Sequence, residues 1–408
     1  MMSVELQKKI HEVQEALRQQ KLDGWLLYDF RRTNDLACEF LGISSDNLLT
    51  RRFFYWVPQK GDPIKIVHAI EQKHLEHLPG KKILYRSWQE LEAAVANVLQ
   101  GTHRIAMEYS PRNAIPYVSK VDAGTMEIVR DCGVEVFSSA DLLQRYTSVW
   151  DEHKLQTHLA AAEILDQTAA KTWEFITYKL QRHQKITEYE VQQFILGEFA
   201  EHNCVTDSFP ICAVNAHSAD PHYSPGKEGS SIIKQGDFVL IDLWCKQKVP
   251  DAVYADITRV AVAGSEATEK QREIFAIVKK ARDAGTELVK SRFANGEPLM
   301  GWEVDRKCRE VISDAGFGEF FIHRTGHNIG VHDHGNGAHL DDLETQDRRR
   351  LLEGTCFSIE PGIYLPGEFG VRLEYDVYVH HDGRVEVTGG IQNELECLMK
   401  RPFMREPD

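Results

Sequence analysis

The sequence lacks several features that mark particular protein classes. Its eight cysteines include no closely spaced CxxC pair, which argues against a zinc knuckle or a dithiol redox motif. No stretch approaches the roughly 20 apolar residues of a membrane span, and no basic segment followed by an apolar core opens the chain. Positive charge is scarce, since the formal net charge is -14. We therefore expect a cytoplasmic protein with reduced thiols that binds neither membranes nor nucleic acids.

Two regions of different pattern divide the 408 residues. In the first, short apolar stretches alternate with helical patterns, which predicts an α/β layer over residues 1–150. The expected strands are 23–30, 51–58, 62–70, 81–88, 103–110 and 134–139. We expect helices over 89–100, over a longer run near 111–132, and at the start of the chain, where Leu6, Ile10, Val13 and Leu17 recur at helical spacing.

From about Trp150 the pattern changes to long helices followed by groups of strands. This grouping predicts an α+β domain over residues 151–408. The expected helices are about 150–180, 187–203, 267–293 and 300–314. The expected strands are 204–215, 237–245, 252–263, 355–364, 370–380 and 384–388. Every residue set that suggests chemistry lies in this second region.

Four histidines crowd the stretch FIHRTGHNIGVHDHG at residues 321–335, namely His323, His327, His332 and His334. The glycines within it let the backbone approach itself or a ligand closely. A neutral imidazole is a common metal ligand and a common acid or base near neutral pH. A histidine taken singly is more often a surface or packed residue, so the residues elsewhere in the chain decide.

Four carboxylates sit in or beside apolar strands: Asp242 in VLID, Asp256 in YADITRVAV, Glu360 in FSIEPG and Glu374 in VRLEYDVYV. Each alone fits a salt bridge or a sheet edge. Burying an ionised carboxylate without a partner costs several kcal/mol, so four of them suggest that positive charge meets them. Together with one imidazole they suit two Mn²⁺, Co²⁺, Zn²⁺ or Fe²⁺ ions.

The order of Asp, Asp within DIT, GHxxG, IEPG and RLE resembles the Xaa-Pro metallopeptidases, prolidase and aminopeptidase P, in the larger family that includes methionine aminopeptidase and creatinase. The resemblance implies a pita-bread catalytic domain over 151–408, preceded by a smaller α/β creatinase/prolidase-type N-terminal domain over 1–150. It also implies a homodimer. The metal ligands that it implies are Asp242, Asp256, His327, Glu360 and Glu374.

Further roles follow from the same resemblance. His222, in NAHSADPHYSPG, falls on a histidine that steadies the scissile amide and the tetrahedral intermediate. His334 falls on a histidine that contacts the substrate, and His323 on a second catalytic histidine. Arg372 matches an arginine that we expect either to bind substrate or to support the ligands. His332 has no counterpart.

The resemblance implies a dinuclear metal peptidase that hydrolyses Xaa-Pro bonds through a metal-bridging hydroxide, with Mn²⁺ as the expected metal. Glu360 is expected to act as the proton shuttle as well as a ligand. A dipeptidase acting on a small Xaa-Pro substrate is favoured over an aminopeptidase P acting on longer peptides. A creatinase-like amidinohydrolase and a catalytically idle binding scaffold are the remaining alternatives.

Two departures from the family pattern bear on this interpretation. Thirteen residues separate Asp242 from Asp256, more than the family usually has, so we expect a longer hairpin turn in which Asp251 competes for the second ligand position. The charged run DHGNGAHLDDLETQDRRR, residues 333–350, is also longer than its usual counterpart. It is either a solvated surface loop or a determinant of substrate size.

Overall fold

The computed structural model describes residues 2–44 and 46–403, with side chains from Leu6 onward. The chain separates into two compact units, Met1–Thr147 and Ser148–Asp408. The assignment of these units to named domain types stays a prediction. Within the described residues, no helix has both the length and the hydropathy that crossing a membrane requires. All eight cysteines are free thiols, and six of them are buried.

The first unit alternates helices and strands. Its elements are α1 (Met2–Gln20), β1 (Gly24–Asp29), α2 (Asp35–Phe40), β2 (Phe53–Pro58), β3 (Ile64–His68), β4 (Lys81–Tyr85), α3 (Trp88–Leu99), β5 (Arg104–Met107), α4 (Ala123–Asp131), β6 (Glu135–Ser138) and α5 (Ala140–Thr147). The six strands form one mixed sheet in the order β4-β3-β2-β1-β5-β6. All six expected strands, the opening helix and the helix over 89–100 are thereby confirmed.

The central strand β1 is buried on both faces of this sheet. Along β1, Trp25 and Leu27 enter one hydrophobic cluster, whereas Leu26 and Tyr28 enter another. This alternation follows from the two-residue period of a strand, and burial on both faces explains why the strand sequence is apolar throughout. The predicted α/β layer is correct.

The helix expected over 111–132 is wrong in its first half. Only Ala123–Asp131 is helical, and short 3₁₀ turns precede it at Pro111–Asn113 and Pro116–Val118. Each turn begins with a proline, which has no backbone N–H to donate in a continuing helix. The helix starts where the Asp122 side chain accepts the Thr125 N–H at 2.9 Å.

The second unit places its long helices before and between groups of strands. Its elements are α6 (Glu152–Gln181), α7 (Glu188–Glu201), β7 (Cys204–Val205), β8 (Ile211–Val214), β9 (Phe238–Gln247), β10 (Ala255–Val262), α8 (Glu269–Ala294), α9 (Gly301–Asp314), β11 (Asn328–Ile329), β12 (Cys356–Ile359), β13 (Gly362–Leu365), β14 (Phe369–Arg372), β15 (Tyr375–Val379), β16 (Val385–Thr388) and β17 (Glu396–Cys397). The four expected helices are present.

The β9–β10 hairpin is the centre of this unit. One of its faces, with Ile241 and Leu243, packs in a cluster with α6 and α7. The other face, with Leu240 and Val260, packs in a cluster with α8 and α9. Further strands form a β11-β12-β15-β16 sheet and a separate β13–β14 pair. The hairpin therefore lies between two helical layers, which fixes the direction of every side chain along it.

Three expected strands are each divided in two. The stretches 204–215, 355–364 and 370–380 become β7 and β8, β12 and β13, and β14 and β15. The break after β12 falls at Glu360 and Pro361, and the break before β15 falls at Leu373 and Glu374. At these points the chain changes its pairing partner, which an apolar pattern in a single stretch does not reveal.

Candidate metal centre

The β9–β10 hairpin carries the first two predicted ligands. Asp242 lies opposite Thr258, and Asp256 lies opposite Trp244. Because side chains alternate between the faces of a strand, Asp242, Asp256 and Thr258 share one face. Asp251 lies exposed in the long turn, outside both strands, with a φ of 56°. The geometry therefore favours Asp256 over Asp251 as the second ligand.

Glu360 and Glu374 lie where the chain passes from one sheet to another. Glu360 follows β12 and Glu374 precedes β15, and these strands pair through Ile359 and Tyr375. Past the two glutamates, the same segments continue as the separate β13–β14 pair. The glutamates are near enough that, after burial itself, the charge of Glu360 is the largest cause of the raised pKa of Glu374.

The fifth predicted ligand, His327, comes from the histidine stretch. A β-carbon on the preceding Gly326 would lie 2.0 Å from the carbonyl oxygen of Ser358, so only glycine allows this approach. The Ser358 hydroxyl accepts the His327 N–H at 3.0 Å. The ring Nε2 then lies 3.5 Å from Asp256 Oδ2 and 3.5 Å from Glu360 Oε1. The imidazole of His327 thus lies between Asp256 of the hairpin and Glu360.

The structure brings the predicted ligands into one cluster. Ligand atoms of Asp256, His327 and Glu374 lie within 4.8 Å of one another. Asp242 joins them through the Thr258 hydroxyl, which lies 3.0 Å from Asp242 Oδ1 and 2.6 Å from Glu374 Oε2. Because the hydroxyl has one proton, it donates to one of these carboxylates at a time.

The donor set fits divalent cations. Asp256 is 5% exposed and Glu374 is 2% exposed, and one oxygen of each, Oδ1 and Oε1, has no hydrogen-bond partner among the described residues. Burial, followed by neighbouring carboxylates, raises the pKa of both groups well above its usual range. Burial also raises the pKa of Glu360, to about 7. Carboxylates held this way are costly unless a cation meets their oxygens, and the oxygen and imidazole donors suit Mn²⁺ or Zn²⁺.

Arg372 is buried among these ligands. Its guanidinium donates to Asp242 Oδ2 at 2.5 Å, to the Thr258 hydroxyl at 3.0 Å and to the Tyr364 hydroxyl at 3.0 Å. The Arg372 side chain is 4% exposed, and each of its three guanidinium nitrogens donates to an acceptor inside the protein. This arrangement orients the carboxylate of Asp242. The substrate contact predicted for Arg372 stays a prediction.

His334 is oriented by an arginine. Its ring packs against His327 with centroids 4.1 Å apart, and Arg324 Nη2 lies 3.2 Å from His334 Nδ1. Because a guanidinium only donates, Nδ1 accepts, and neutral His334 carries its proton on Nε2. Desolvation of the ring and then the charge of Arg324 lower the pKa of His334, although 58% of its side chain is exposed. His334 is therefore a neutral hydrogen-bond donor near pH 7.

Asp333 is an acid that the sequence analysis did not assign to the site. One of its oxygens lies with ligand atoms of His327 and His334 inside a second group of 4.8 Å span. Asp333 Oδ2 is 3.6 Å from His334 Nε2, the nitrogen that carries the proton. A protonated nitrogen does not bind a cation, so we assign no separate metal ion to this group.

His323 is held at both ring nitrogens. Nδ1 lies 2.7 Å from the carbonyl oxygen of Arg324, so it donates there. Nε2 therefore accepts, and the Tyr364 hydroxyl 2.7 Å away donates to it. The same hydroxyl accepts from Arg372. His323 thus ends a chain of hydrogen bonds that runs through Tyr364 and Arg372 to Asp242, a predicted ligand, and its direct catalytic role stays a prediction.

His222 lies on an exposed turn that begins at Asp220 and Pro221. The Tyr223 N–H donates to the Asp220 carbonyl at 3.1 Å, which closes the turn, and proline favours its second position. The charge of His222 contributes to the lowered pKa of His334. That both histidines bind the same substrate stays a prediction.

The charged run 333–350 folds against the histidine stretch. Leu340 donates to the carbonyl of Gly326 at 3.0 Å and accepts the Thr325 N–H at 3.0 Å. Asp341 and Asp347 in this run are fully buried. The interpretation as a solvated surface loop is therefore correct only in part, since Leu343 and Glu344 are exposed. A role in substrate size stays a prediction. The run is a folded support for the backbone that carries the histidines. His332, for which no role was expected, is exposed.

Four further residues complete the surroundings of the ligands, and the sequence analysis missed them: Thr258, Arg324, Asp333 and Asp376. Asp376 is fully buried and accepts the Asp256 N–H at 2.8 Å. Two of the four left a signal, since Thr258 belongs to the DIT motif and Asp376 lies two positions after Glu374. Arg324 and Asp333 left none, because loop conformation alone decides their contacts.

Comparison with known proteins agrees with this geometry. Residues 156–381 match metallopeptidase family M24. A Mycoplasma genitalium protein with the provisional name Xaa-Pro aminopeptidase is 30% identical over 239 residues, which are 58% of this chain and 62% of that protein, so the match spans less than two thirds of the relative. The structure of the dipeptidase PepE from Mycobacterium ulcerans aligns with a TM-score of 0.69 and 23% identity, covering 97% of this chain and 98% of its own. A prolidase from Thermococcus sibiricus aligns with a TM-score of 0.61 and 24% identity, covering 96% and 98%. The predicted fold class is thereby confirmed.

Proposed function

Because the chain belongs to metallopeptidase family M24, we propose that it is a two-metal peptidase that hydrolyses Xaa-Pro bonds, with a dipeptide as the preferred substrate. The observation that carries the proposal is the convergence of five ligand positions in one buried cluster. The names of its relatives, Xaa-Pro aminopeptidase, dipeptidase and prolidase, support the substrate class. The ligands that we assign are Asp242, Asp256, His327, Glu360 and Glu374.

When bound, two divalent ions would lower the pKa of a shared water and polarise the scissile carbonyl. The chain's own residues would hold the ions and prepare their surroundings. Arg372 and the Thr258 hydroxyl keep the carboxylate of Asp242 in place. Mn²⁺ is the ion that we propose, since carboxylate-rich donor sets suit it.

We assign two roles to Glu360, proton transfer and metal binding. Its Oε1 lies 3.5 Å from His327 Nε2 and accepts the Ser358 hydroxyl at 3.3 Å, while Oε2 lies 3.9 Å from Arg372 Nε. A carboxylate held from three sides keeps its oxygens in a fixed position beside the ligands. We assign to Glu360 the transfer of the water proton to the leaving nitrogen.

Two histidines would bind the substrate. His334 presents an Nε2–H because Arg324 occupies its Nδ1, so it can donate to a carbonyl oxygen or to the oxyanion that forms from it. His222, on its exposed turn, would steady the scissile amide from the other segment. Each such donor contributes on the order of 3 kcal/mol to stabilising the transition state.

A proline after the scissile bond makes that bond a tertiary amide without an N–H. The site then has no amide donor to satisfy, and the proline ring needs an apolar pocket. Aminopeptidase P activity on longer peptides is the second candidate, favoured by the 30% identical relative. A creatinase-like reaction and an idle scaffold are disfavoured, because all five ligand positions carry residues that bind metal.

Three further assignments belong to the proposal. The resemblance to the Xaa-Pro peptidases supports a homodimer. A net charge of -14 argues against nucleic acid as a partner. Cysteines that are all free thiols suit a reducing compartment, which supports a cytoplasmic location.

The test measures proline release from Ala-Pro and from Ala-Pro-Ala by metal-stripped protein, with and without added Mn²⁺. The test variant is Asp256→Asn, which loses a ligand oxygen. Asp251→Asn is the matched control, because it makes the same change in the same hairpin but in an exposed turn.

Dipeptide cleavage that Mn²⁺ restores in wild type and in Asp251→Asn, but not in Asp256→Asn, would establish the proposed function. Cleavage of the tripeptide alone would assign the chain to the second candidate. If neither peptide is cleaved while two metal ions are bound per chain, the Xaa-Pro proposal is wrong. If Asp251→Asn is the inactive variant, the ligand assignment is wrong instead.

A further inference from the structure

Glu188 is a buried carboxylate at the start of α7 that has no part in the metal centre. Its side chain is 0% exposed. It does not cap the helix, because Thr187 and Glu190 form a reciprocal capping box there. A carboxylate that is buried this deeply requires donors, and the question is which part of the chain provides them.

The donors all come from one segment, residues 214–231. Oε1 accepts the Val214 N–H at 2.8 Å and His217 Nδ1 at 2.8 Å. Oε2 accepts the Tyr223 hydroxyl at 2.6 Å and the Ser231 N–H at 2.7 Å. One carboxylate therefore fixes this segment at four points, two of them on its backbone. The segment carries His222.

The contact nearest to His222 is made by the next residue, Tyr223. Its hydroxyl is held by Glu188, and its ring is stacked on His217 with centroids 4.2 Å apart. Burial, then the hydrogen bond to Glu188, raises the pKa of this phenol, so Tyr223 stays a donor. The side chain of Tyr223 is therefore fixed at its ring and at its tip, which restrains the backbone on which His222 stands.

His222 needs such restraint. It is exposed, and we find no hydrogen bond to its ring from residues 2–44 or 46–403. Its N–H is bound locally by Asp220 Oδ1 at 3.1 Å. The other end of the turn is tied down where the Ser218 hydroxyl accepts the Gly370 N–H at 2.9 Å. The position of the imidazole thus depends on how firmly the segment is held.

We propose that Glu188 is a positioning residue that acts through Tyr223 to hold His222 where it meets the substrate. This inference rests on the proposed peptidase function, in which His222 steadies the scissile amide. A displacement of about 1 Å at such a group can lower a rate about a hundredfold, so a rigid anchor far from the metal ligands has a measurable effect.

The test is a double-mutant cycle on Xaa-Pro hydrolysis with Tyr223→Phe and His222→Ala. Tyr223→Phe removes only the hydroxyl and keeps the stacked ring. We expect it to lower kcat between about tenfold and a hundredfold, with KM little changed and metal content unaltered. In the His222→Ala background the same change should lower kcat less than about twofold, because the residue it acts through is already gone. Equal effects in both backgrounds would overturn the proposal.

Glu188→Gln provides a readout that does not depend on activity. A glutamine has one acceptor oxygen, so either the Val214 or the Ser231 amide loses its partner and should exchange hydrogen faster. Glu190→Gln in the adjacent capping box is the matched control, since glutamine also serves there, and it should leave exchange and kcat unchanged. Unchanged exchange in Glu188→Gln would contradict the anchoring. If wild type hydrolyses no Xaa-Pro peptide, the proposed function fails by itself, while the exchange result still decides whether Glu188 anchors the segment.

Discussion

Two buried carboxylate sites, one in each unit, differ in how their oxygens are satisfied. In the first unit, fully buried Glu108 accepts from Trp25 Nε1 at 2.7 Å, Asn34 Nδ2 at 2.8 Å and the Ser139 hydroxyl at 2.9 Å. In the second unit, Asp256 and Glu374 are buried almost as fully, yet each keeps an oxygen without a partner among the described residues. The first site is complete with protein donors alone, whereas the second calls for a cation.

The difference teaches that burial of a carboxylate does not by itself indicate a metal. Burial raises the pKa of Glu108 just as it raises the pKa of Asp256. What separates the sites is the supply of N–H and O–H donors, and the presence of other carboxylates as the nearest neighbours. Glu188 belongs with Glu108 in this respect, because its four partners all donate.

The largest expected effect comes from replacing one acid of each kind by its amide. Glu374→Gln should abolish the binding of at least one metal ion and lower kcat about a thousandfold. The metal-stripped protein should keep its Tm, because burial and the neighbouring carboxylates already disfavour the charge of Glu374 when no cation is present. Glu108→Gln should keep metal content and kcat but lower the free energy of unfolding by about 1 to 3 kcal/mol, because its amide nitrogen cannot accept. Metal analysis and thermal unfolding measure both. Loss of bound metal in Glu108→Gln would contradict the inference that only the site in the second unit binds metal.

His158 is a buried ionisable group whose two hydrogen-bond partners are both protein groups, and its effect on stability can be tested by changing the pH. His158 is fully buried, with Nδ1 2.7 Å from the Tyr254 carbonyl and Nε2 2.7 Å from the Thr388 hydroxyl, and burial lowers its pKa to about 4. In the unfolded chain His158 binds a proton more readily than in the folded protein. The free energy of unfolding therefore keeps the full contribution of neutral His158 above about pH 6.5. It loses about 3 kcal/mol as the pH falls towards 4.

Urea unfolding of metal-stripped protein between these pH values, compared with His158→Gln, measures the effect of His158 alone. The variant lacks the titrating ring, so its free energy of unfolding should fall less steeply with acid. Parallel curves for the two proteins would show that protonation of His158 is not what weakens the fold.

The support of the metal ligands should give a smaller effect. Arg372→Lys keeps the charge but replaces three nitrogens, which reach Asp242, Thr258 and Tyr364 separately, by a single one. Mn²⁺ affinity should therefore fall about 10- to 100-fold. Calorimetric titration of metal-stripped protein measures the affinity. Arg384→Lys, in an exposed pair with Glu386, is the control and should change nothing. Equal affinity in both variants would mean that the guanidinium fork is dispensable.

The smallest effect is expected at His332. It lies in the histidine stretch but is exposed, so it has neither the burial nor the neighbours of His327. His332→Ala should change kcat less than about twofold and stability by no more than about 0.5 kcal/mol. A loss of bound metal in this variant would show that proximity in sequence matters more than burial, contrary to the comparison above.

The residues of the cluster could be selected from the sequence because they stand in motifs of fixed order, and their role as metal ligands stays a prediction. Asp242 and Asp256 were found from their apolar strands, and the structure places both on one face of a hairpin. The same criterion, however, would have selected Glu108, which also follows an apolar strand. The local sequence does not distinguish Glu108 from Asp242 and Asp256. The donors to Glu108 are Asn34, Trp25 and Ser139, which lie 74, 83 and 31 residues away in the chain.

Other features were beyond prediction for related reasons. The division of strands at Glu360 and Glu374 depends on which strand pairs with which, and a single stretch does not encode its partner. The proton position on His334 depends on Arg324, which a loop brings within reach. The anchor at Glu188 requires four groups spread over residues 214–231. The wrong helix near 111–132 could have been avoided from the sequence. Pro111 and Pro116 indicate that a continuous helix does not run through this stretch.

The positions of the proposed ligands along the chain also determine when during synthesis the cluster can first bind metal. Asp242 is the first of the five proposed ligands to be synthesised, but the cluster is incomplete until Glu374 has been added. Domains usually fold as units as they leave the ribosome, at about 5 to 20 residues per second. At that rate the roughly 230 residues between the end of the first unit and Glu374 take about 11 to 45 s, so the first unit can complete its core before the full set of proposed ligands exists. Binding of cations by all five residues would have to follow.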